Sequence, residues 1–239
     1  MRRTKIICTM GPATDNEDVL RDLMLNGMDV ARLNFSHGSH EEALERINRI
    51  KKVRDELNIP VAILLDTKGP EVRIKDFKEG KVELKEGQKF TLCTDDVVGD
   101  ENQVSITYAN LPNDVKVGSK ILIDDGLIEM EVISVKNSKI LCKVKNGGVV
   151  SNKKGVNVPN VALSMPYMSK KDIDDILFGI EQDVDFIAAS FVRTADDIRE
   201  IKTLLRDNGG RDIRIIAKIE NAEGVDNIDD IIRETHGIM

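Results

Sequence analysis

The sequence predicts an α/β chain: a (β/α)8 (TIM) barrel of parallel strands, incomplete and interrupted after its third strand by an all-β domain. Three observations carry this reading. Apolar strand-like runs alternate with amphipathic helical patterns over residues 1–69 and again over 167–239, as in a parallel sheet built from right-handed crossovers. Between them, over 70–166, the period shifts to two, turn residues recur, and no helix of useful length fits. Polar residues then collect at the carboxyl ends of several different strands, where barrel enzymes place their chemistry. This last point favours a barrel over a doubly wound open sheet. A closed barrel needs about eight strands; five complete ones and the start of a sixth are legible here.

In chain order, Lys5 to Met10 is a short β-rich run ending at Gly11-Pro12. A helix follows with Val19, Leu20, Leu23 and Met24 on one face and Asn26-Gly27 as its stop. Met28 to Asn34 is the second strand. Ser39-His40-Glu41-Glu42 reads as a capping box, opening a helix with Leu44, Ile47, Ile50, Val53 and Leu57 inward. Val61 to Asp66, after Pro60, is a continuous apolar run of the kind buried on both faces of a parallel sheet. The middle region holds strand-like runs at Lys81–Leu84, Lys89–Cys93, Val104–Ile106, Lys120–Ile123, Ile128–Val132 and Lys139–Val144, with turns at Asp124-Asp125-Gly126 and Asn137-Ser138. Ser169 to Asp172 and Thr194 to Asp197 then start two further helices around the strand Val184 to Ala189. Ile213 to Ile219 is the fifth strand. One last helix carries Val225, Ile228, Ile231 and Ile232 before Gly237-Ile238-Met239.

Composition narrows the function classes. A hydrophobic fraction of 41% excludes a disordered tail. With 3% aromatics and a net charge of −7, the chain lacks the stacking platforms and basic field of a nucleic-acid binder. No apolar stretch approaches the ~20 residues of a membrane span. The start, Met1-Arg2-Arg3-Thr4-Lys5 before Ile6-Ile7-Cys8, is too short for a leader's apolar core. Cys8, Cys93 and Cys142 lie far apart in apolar runs, which suits reduced, buried thiols in a cytoplasmic protein better than disulfides or zinc.

Three strand ends carry the chemistry. If the second strand persists past Asn34, then Arg32, Asn34 and Ser36 share one face. An Arg beside two neutral oxygens suits a phosphate or carboxylate next to a cation; a strand end fraying into a polar loop reads the same way. At the third strand end, Asp66-Thr67 offers hard oxygen ligands for a cation, with Lys68 and Arg73 adding positive charge, or else Asp66 caps a loop. At the fifth, Lys218 and Glu220 lie two apart on one face. They form either a salt bridge or a metal carboxylate beside a phosphoryl-binding lysine. Ser190, after Ala188-Ala189, is a candidate for the same mouth. His37 and His40 have no third ligand near in sequence for zinc, and Lys153-Lys154-Gly155 reads as a solvated turn.

Together these segments resemble the pyruvate kinase family. The matching stretches are Thr4-Lys5-Ile6-Ile7-Cys8-Thr9-Met10-Gly11-Pro12, Ala31 to Gly38, Asp66 to Arg73, Lys154 to Pro159, Ala189-Ser190-Phe191 and Lys218 to Gly224, in the family's order over essentially the whole chain. The resemblance implies a barrel interrupted by a β-rich lid and transfer of phosphate from phosphoenolpyruvate to ADP, giving pyruvate and ATP. It implies K⁺ on Asn34, Ser36, Asp66 and Thr67, with Glu71 the residue type of potassium-dependent members. Glu220 corresponds to one of two carboxylates for Mg²⁺ (or Mn²⁺), and Lys218 to the lysine that neutralises the phosphoryl group in flight. Arg32 and Ser190 are implied on the substrate, Arg73 and Lys154 on the nucleotide's phosphates, with Arg73 a catalytic cation beside Lys218, and Asn34 and His37 near the nucleotide.

The family's second metal carboxylate and its protonating threonine have no counterpart here. The expectation is therefore a chain with little or no turnover alone, prone to self-association through open sheet edges; the full-length family is homo-oligomeric. Two other readings compete. One is a non-catalytic phosphate-ligand-binding or assembly module. The other is a barrel enzyme with Lys218 as Schiff-base nucleophile, for which Glu220 is an ill-suited neighbour.

Overall fold

The structure, a computed structural model, describes residues 3–239; Met1 and Arg2, from the basic start noted above, lie outside it. The chain forms two compact units. One comprises the residues up to Pro70, Tyr167–Glu220 and Gly224–Met239; the other comprises Glu71–Pro166 and Asn221–Glu223.

The first unit opens with β1 (Ile7–Thr9), a single 3-10 turn and α1 (Glu17–Leu25). Asn16 starts α1, its Oδ1 accepting from the Asp18 and Val19 amides at 2.7 and 3.4 Å, which satisfies donors a helix leaves open. Leu20 and Met24 are buried as expected, whereas Val19 falls on the outer side of the stripe and is exposed. Next come β2 (Val30–Asn34), α2 (His40–Leu57) and β3 (Ala62–Asp66). Ser39 Oγ accepts from the Glu42 amide, and Ile47, Ile50 and Val53 are buried. Asn58 ends α2 at φ 51°, a conformation asparagine tolerates. From Ile63 to Asp66 every residue of β3 is buried.

The second unit contains β4 (Val72–Arg73), β5 (Lys81–Leu84), β6 (Lys89–Cys93), β7 (Gln103–Ser105), a one-turn α3 (Leu111–Asp114), β8 (Lys120–Ile123), β9 (Ile128–Lys136), β10 (Lys139–Asn146), β11 (Gly148–Ser151) and β12 (Gly155–Asn157). Seven of these strands pair in the order β4-β12-β8-β9-β10-β6-β7, while β11 and β5 form a separate ribbon. An antiparallel bridge between Ile74 and Ile106, just past β4 and β7, brings the two ends of the seven-stranded sheet together. Its core includes Phe90, Leu92, Ile121, Met130, Ile140 and Cys142. Among the cysteines, Cys93 and Cys142 are buried, and burial pushes the Cys142 thiol up to about 12. Cys8, expected buried, is only half so, because β1 is an edge strand.

The first pattern then resumes with α4 (Lys170–Glu181), β13 (Phe186–Ala189), α5 (Ala195–Asp207), β14 (Arg214–Ala217), α6 (Ala222–Asp226), α7 (Ile228–Glu234) and β15 (Gly237–Ile238). Ser169 and Asp172 form a reciprocal capping box at α4. The expected single last helix is two short ones. Asn227 separates them, its side-chain amide donating to the Arg193 carbonyl at 3.0 Å, and both Val225 and Ile232 are exposed. The six strands of this unit form one wholly parallel sheet in the order β1-β2-β3-β13-β14-β15. This is the α/β, incomplete-barrel arrangement, with β3 and β13 adjacent in space on either side of the insertion in sequence. Side chains from Ile63, Leu65, Ile187, Ala189, Ile215 and Ala217 share its core with the helices.

Candidate active site

Parallel register assembles the site. Thr9 lies opposite Arg32, Asn34 opposite Asp66, Asp66 opposite Ala188, and Ala189 opposite Ala217. The residues at or just beyond the carboxyl ends of β2, β3, β13 and β14 therefore fall side by side.

Asp66 is the centre. Its side chain is 1% exposed, and both carboxylate oxygens are engaged. Oδ2 accepts from Arg32 Nε at 2.6 Å, and the Arg32 Nη2 lies at 2.5 Å. Oδ1 accepts from Ser190 Oγ at 3.0 Å and from Lys218 Nζ at 3.1 Å. A lone buried carboxylate would be costly; here two cations and a hydroxyl compensate it. Arg32 reaches further, donating from Nη1 to Thr9 Oγ1 at 2.7 Å. Lys218 Nζ also donates to Ser190 Oγ at 2.8 Å and lies 3.3 Å from Glu220 Oε1. Glu220 Oε2 accepts from the Phe191 amide at 3.0 Å.

Ser190 is thus a junction of the cluster. The Thr67 hydroxyl accepts from its amide at 3.1 Å, and its carbonyl accepts from the buried Tyr167 hydroxyl at 3.1 Å. Gly69, at φ 67°, packs against the Ser190 backbone so closely that a Cβ would stand 2.5 Å from the carbonyl oxygen. The Gly69 amide is held in turn by Asp172 Oδ1 at 2.9 Å. The Asp172 carboxylate so serves two elements, the α4 cap and the turn after β3.

Arg32, Asp66, Thr67, Ser190, Lys218 and Glu220 are brought together. Ser36 does not extend the strand face as expected. The chain turns after Asn34, and Asn34 Oδ1 accepts from the Ser36 amide at 2.9 Å, a local turn that competes with strand pairing. His37 is exposed in that same turn. Arg73 and Lys154 belong to the inserted unit. Arg73 Nη2 lies 2.7 Å from Glu71 Oε2 and Nη1 donates to the Lys153 carbonyl at 2.8 Å, while Nε is buried without a partner. The hydrogen bond to Glu71 holds the Arg73 pKa above its ordinary value. Lys154, expected as part of a solvated turn, is half-buried and pairs with Asp124 Oδ1 at 2.9 Å.

Oxygen donors at Asn34, Ser36, Asp66 and Thr67 suit a hard monovalent cation by chemistry. For a divalent ion, Glu220 stands without a cluster: among the described residues, no three His, Cys, Asp or Glu side chains gather. Mg²⁺ commonly takes only one or two carboxylates and fills its shell with water and substrate phosphates, so Glu220 suits it. Thr9, Gly69, Tyr167, Asp172 and Phe191 join the cluster without having been candidates. Of these, only Gly69, in a Lys-Gly-Pro turn after a strand, carried a local signal of close backbone approach.

A parallel α/β sheet with cations and carboxylates gathered at its strand ends is the arrangement in which barrel enzymes place their chemistry. The comparisons agree. A family model described as "Pyruvate kinase, barrel domain" matches residues 1–239, and the chain belongs to the pyruvate kinase family. It is 53% identical over 240 residues to a protein named "Pyruvate kinase" from Geobacillus stearothermophilus, and 49% over 240 residues to one of that name from Clostridium perfringens. All of this chain is covered, but only 41% and 51% of those relatives. The chain thus spans about half, or less, of the length of the curated relatives it matches. No helix among the described residues is long and apolar enough to cross a membrane.

Proposed function

We propose that this chain supplies the phosphoryl-transfer site of a pyruvate kinase, acting on phosphoenolpyruvate and ADP to give pyruvate and ATP. One observation carries the reading: the Lys218 ammonium, 14% exposed, is pinned by Asp66 and Ser190 at the mouth of the sheet with Glu220 beside it. In phosphoryl transfer the bond from phosphorus to the enol oxygen breaks as one forms to a nucleotide oxygen. Charge then spreads over the non-bridging oxygens, so catalysis is mostly positioning and fixed positive charge. Lys218 supplies that charge with no reorganisation, its geometry already set by two partners. Arg32, 26% exposed and braced by Asp66 and Thr9, presents a second cation for the substrate's acidic groups. Mg²⁺ (or Mn²⁺) and K⁺, when bound, neutralise phosphate charge; Glu220 would hold the former, and Asn34, Ser36, Asp66 and Thr67 the latter. Asn34 and His37 on one strand end, and Arg73 and Lys154 in the insertion, are assigned to nucleotide and phosphate. On this reading the protein works in glycolysis in the cytoplasm, as part of a homo-oligomeric enzyme, and residues 70–166 form its lid.

Calorimetry of the chain with phosphoenolpyruvate, Mg²⁺ and K⁺, beside a lactate-dehydrogenase-coupled assay, tests this. The expected result is saturable binding that K218Q weakens tenfold or more. Binding without turnover would favour a phosphate-ligand module. Absence of binding would overturn both readings.

A further inference from the structure

The peptide joining Ser190 to Phe191 has two polar groups, and both are used. Its carbonyl oxygen accepts from the Tyr167 hydroxyl at 3.1 Å, and its N–H donates to Glu220 Oε2 at 3.0 Å. A peptide group is planar, with C=O and N–H pointing to opposite sides, so fixing one end fixes the other. Phe191 sits at φ 55°, a region a bulky residue occupies only when its surroundings hold it there. Those surroundings are identifiable. The Ser190 amide is tied to Thr67, the Val192 amide donates to the Lys218 carbonyl at 3.1 Å, and Gly69 leaves no slack against the Ser190 carbonyl.

We propose that Tyr167 is a positioning residue: its buried hydroxyl sets the plane of the Ser190–Phe191 peptide, and through that plane the amide that orients the Glu220 carboxylate. The inference deepens the reading above and rests on Glu220 as the divalent-ion carboxylate. Tyr167 is equipped for the task. It is 4% exposed, its ring lies beneath the Arg193 guanidinium at 5.9 Å, and burial raises its hydroxyl pKa well above the ordinary value. The group therefore stays a hydrogen-bond donor across the working pH range. With Oε2 held by the amide, Oε1, 3.3 Å from the Lys218 ammonium, is the oxygen turned toward positive charge. Without the Tyr167 bond, the strained peptide loses the tether on its carbonyl side and tilts within its remaining contacts, and the N–H that anchors the carboxylate is re-aimed. Removing an outer hydrogen-bonding partner of a metal ligand commonly lowers metal affinity about tenfold or more.

Tyr167→Phe removes one oxygen and keeps the ring, so it isolates the hydroxyl from packing. The chain is labelled with [15N]Phe, giving six amide signals for its six phenylalanines, and Mn²⁺ binding is followed by electron paramagnetic resonance. The Phe191 amide proton is expected to move upfield in both Y167F and E220Q, with the other five signals in place. Mn²⁺ affinity should fall about tenfold in each. Phe191→Gly, which removes the penalty on positive φ, should restore most of the loss when combined with Y167F. A Phe191 amide unmoved by Y167F would overturn the proposal, as would Mn²⁺ affinity that E220Q weakens and Y167F does not. If E220Q leaves Mn²⁺ binding intact, the assignment of Glu220 to the metal fails instead, and Tyr167 is then judged on the amide shift alone.

Discussion

Replacing Asp66 by Asn probes the arrangement at its most loaded point. The change is nearly isosteric but removes the one negative charge that Arg32 and Lys218 share. It also sets an amide NH2, a donor, toward groups that are donors themselves. Removing one partner of a buried ion pair costs about 3–5 kcal/mol. Because the Arg32 and Lys218 side chains are 26% and 14% exposed, water offsets part of this, and about 3 kcal/mol is expected. With a urea slope of roughly 2 kcal/mol/M, the unfolding midpoint should drop by about 1.5 M. The chain has no Trp, so far-UV circular dichroism is the suitable probe. The two hydrophobic cores are separate, and the curve should be fitted for two transitions, only one of which moves. D66N combined with K218M removes one of the two cations that lose the shared Asp66 charge and should recover about 1–3 kcal/mol relative to additivity. A D66N midpoint within about 0.3 M of the parent, or a strictly additive pair, would refute the central role given to this carboxylate.

Gly69→Ala should destabilise the chain by about 2–4 kcal/mol, since the methyl meets the Ser190 carbonyl oxygen and φ is 67°. Thermal unfolding measures this, and phosphoenolpyruvate affinity should fall with the displaced Ser190; a variant as stable as the parent would contradict the close approach. His236 Nδ1 accepts from the Ile215 amide at 3.1 Å, so the ring is unprotonated there. Desolvation of the ring nitrogen held against the Ile215 amide first, then Arg214 and Lys202, lower the pKa of this otherwise exposed side chain below the usual imidazole value of about 6.5. The folded state thus binds this proton less readily than the unfolded one. Its contribution is intact above about pH 6.5 and is lost as pH falls through the depressed folded value. H236N keeps an acceptor that does not titrate, so urea midpoints measured from about pH 7 down to about pH 5 should decline less steeply than in the parent; equal slopes would count against the link.

The parallel strands and their order of appearance were legible because runs such as Val61 to Asp66 are apolar throughout, and helices such as α2 and α5 keep a clean 3.6 period. The strands that escaped notice, β4, β11 and β12, are two to four residues long. Cross-strand pairs rather than periodicity define them. The break at Asn227 was hidden because Val225 and Ile232 mimic a helical stripe although both face solvent. At the site, Asp66 and Lys218 could be singled out because a charge at the end of an apolar run is costly without a purpose. Tyr167 could not, since its hydroxyl meets a carbonyl 23 residues away, a relation no local pattern encodes. Phe191 was the least legible of all, because a bulky side chain argues against the very backbone angle it adopts.

The excursion from Glu71 to Pro166 departs and returns on neighbouring strands: β4 and β12 are paired, with Val72 opposite Val156 and Arg73 opposite Gly155. Its principal sheet is also sealed by the Ile74–Ile106 bridge. A segment whose first and last strands are paired with each other can be gained, lost or exchanged by recombination at a loop. Its interior can then drift under its own selection, so that lineages could retune this module's length and surface while the ancestral strand order stays untouched.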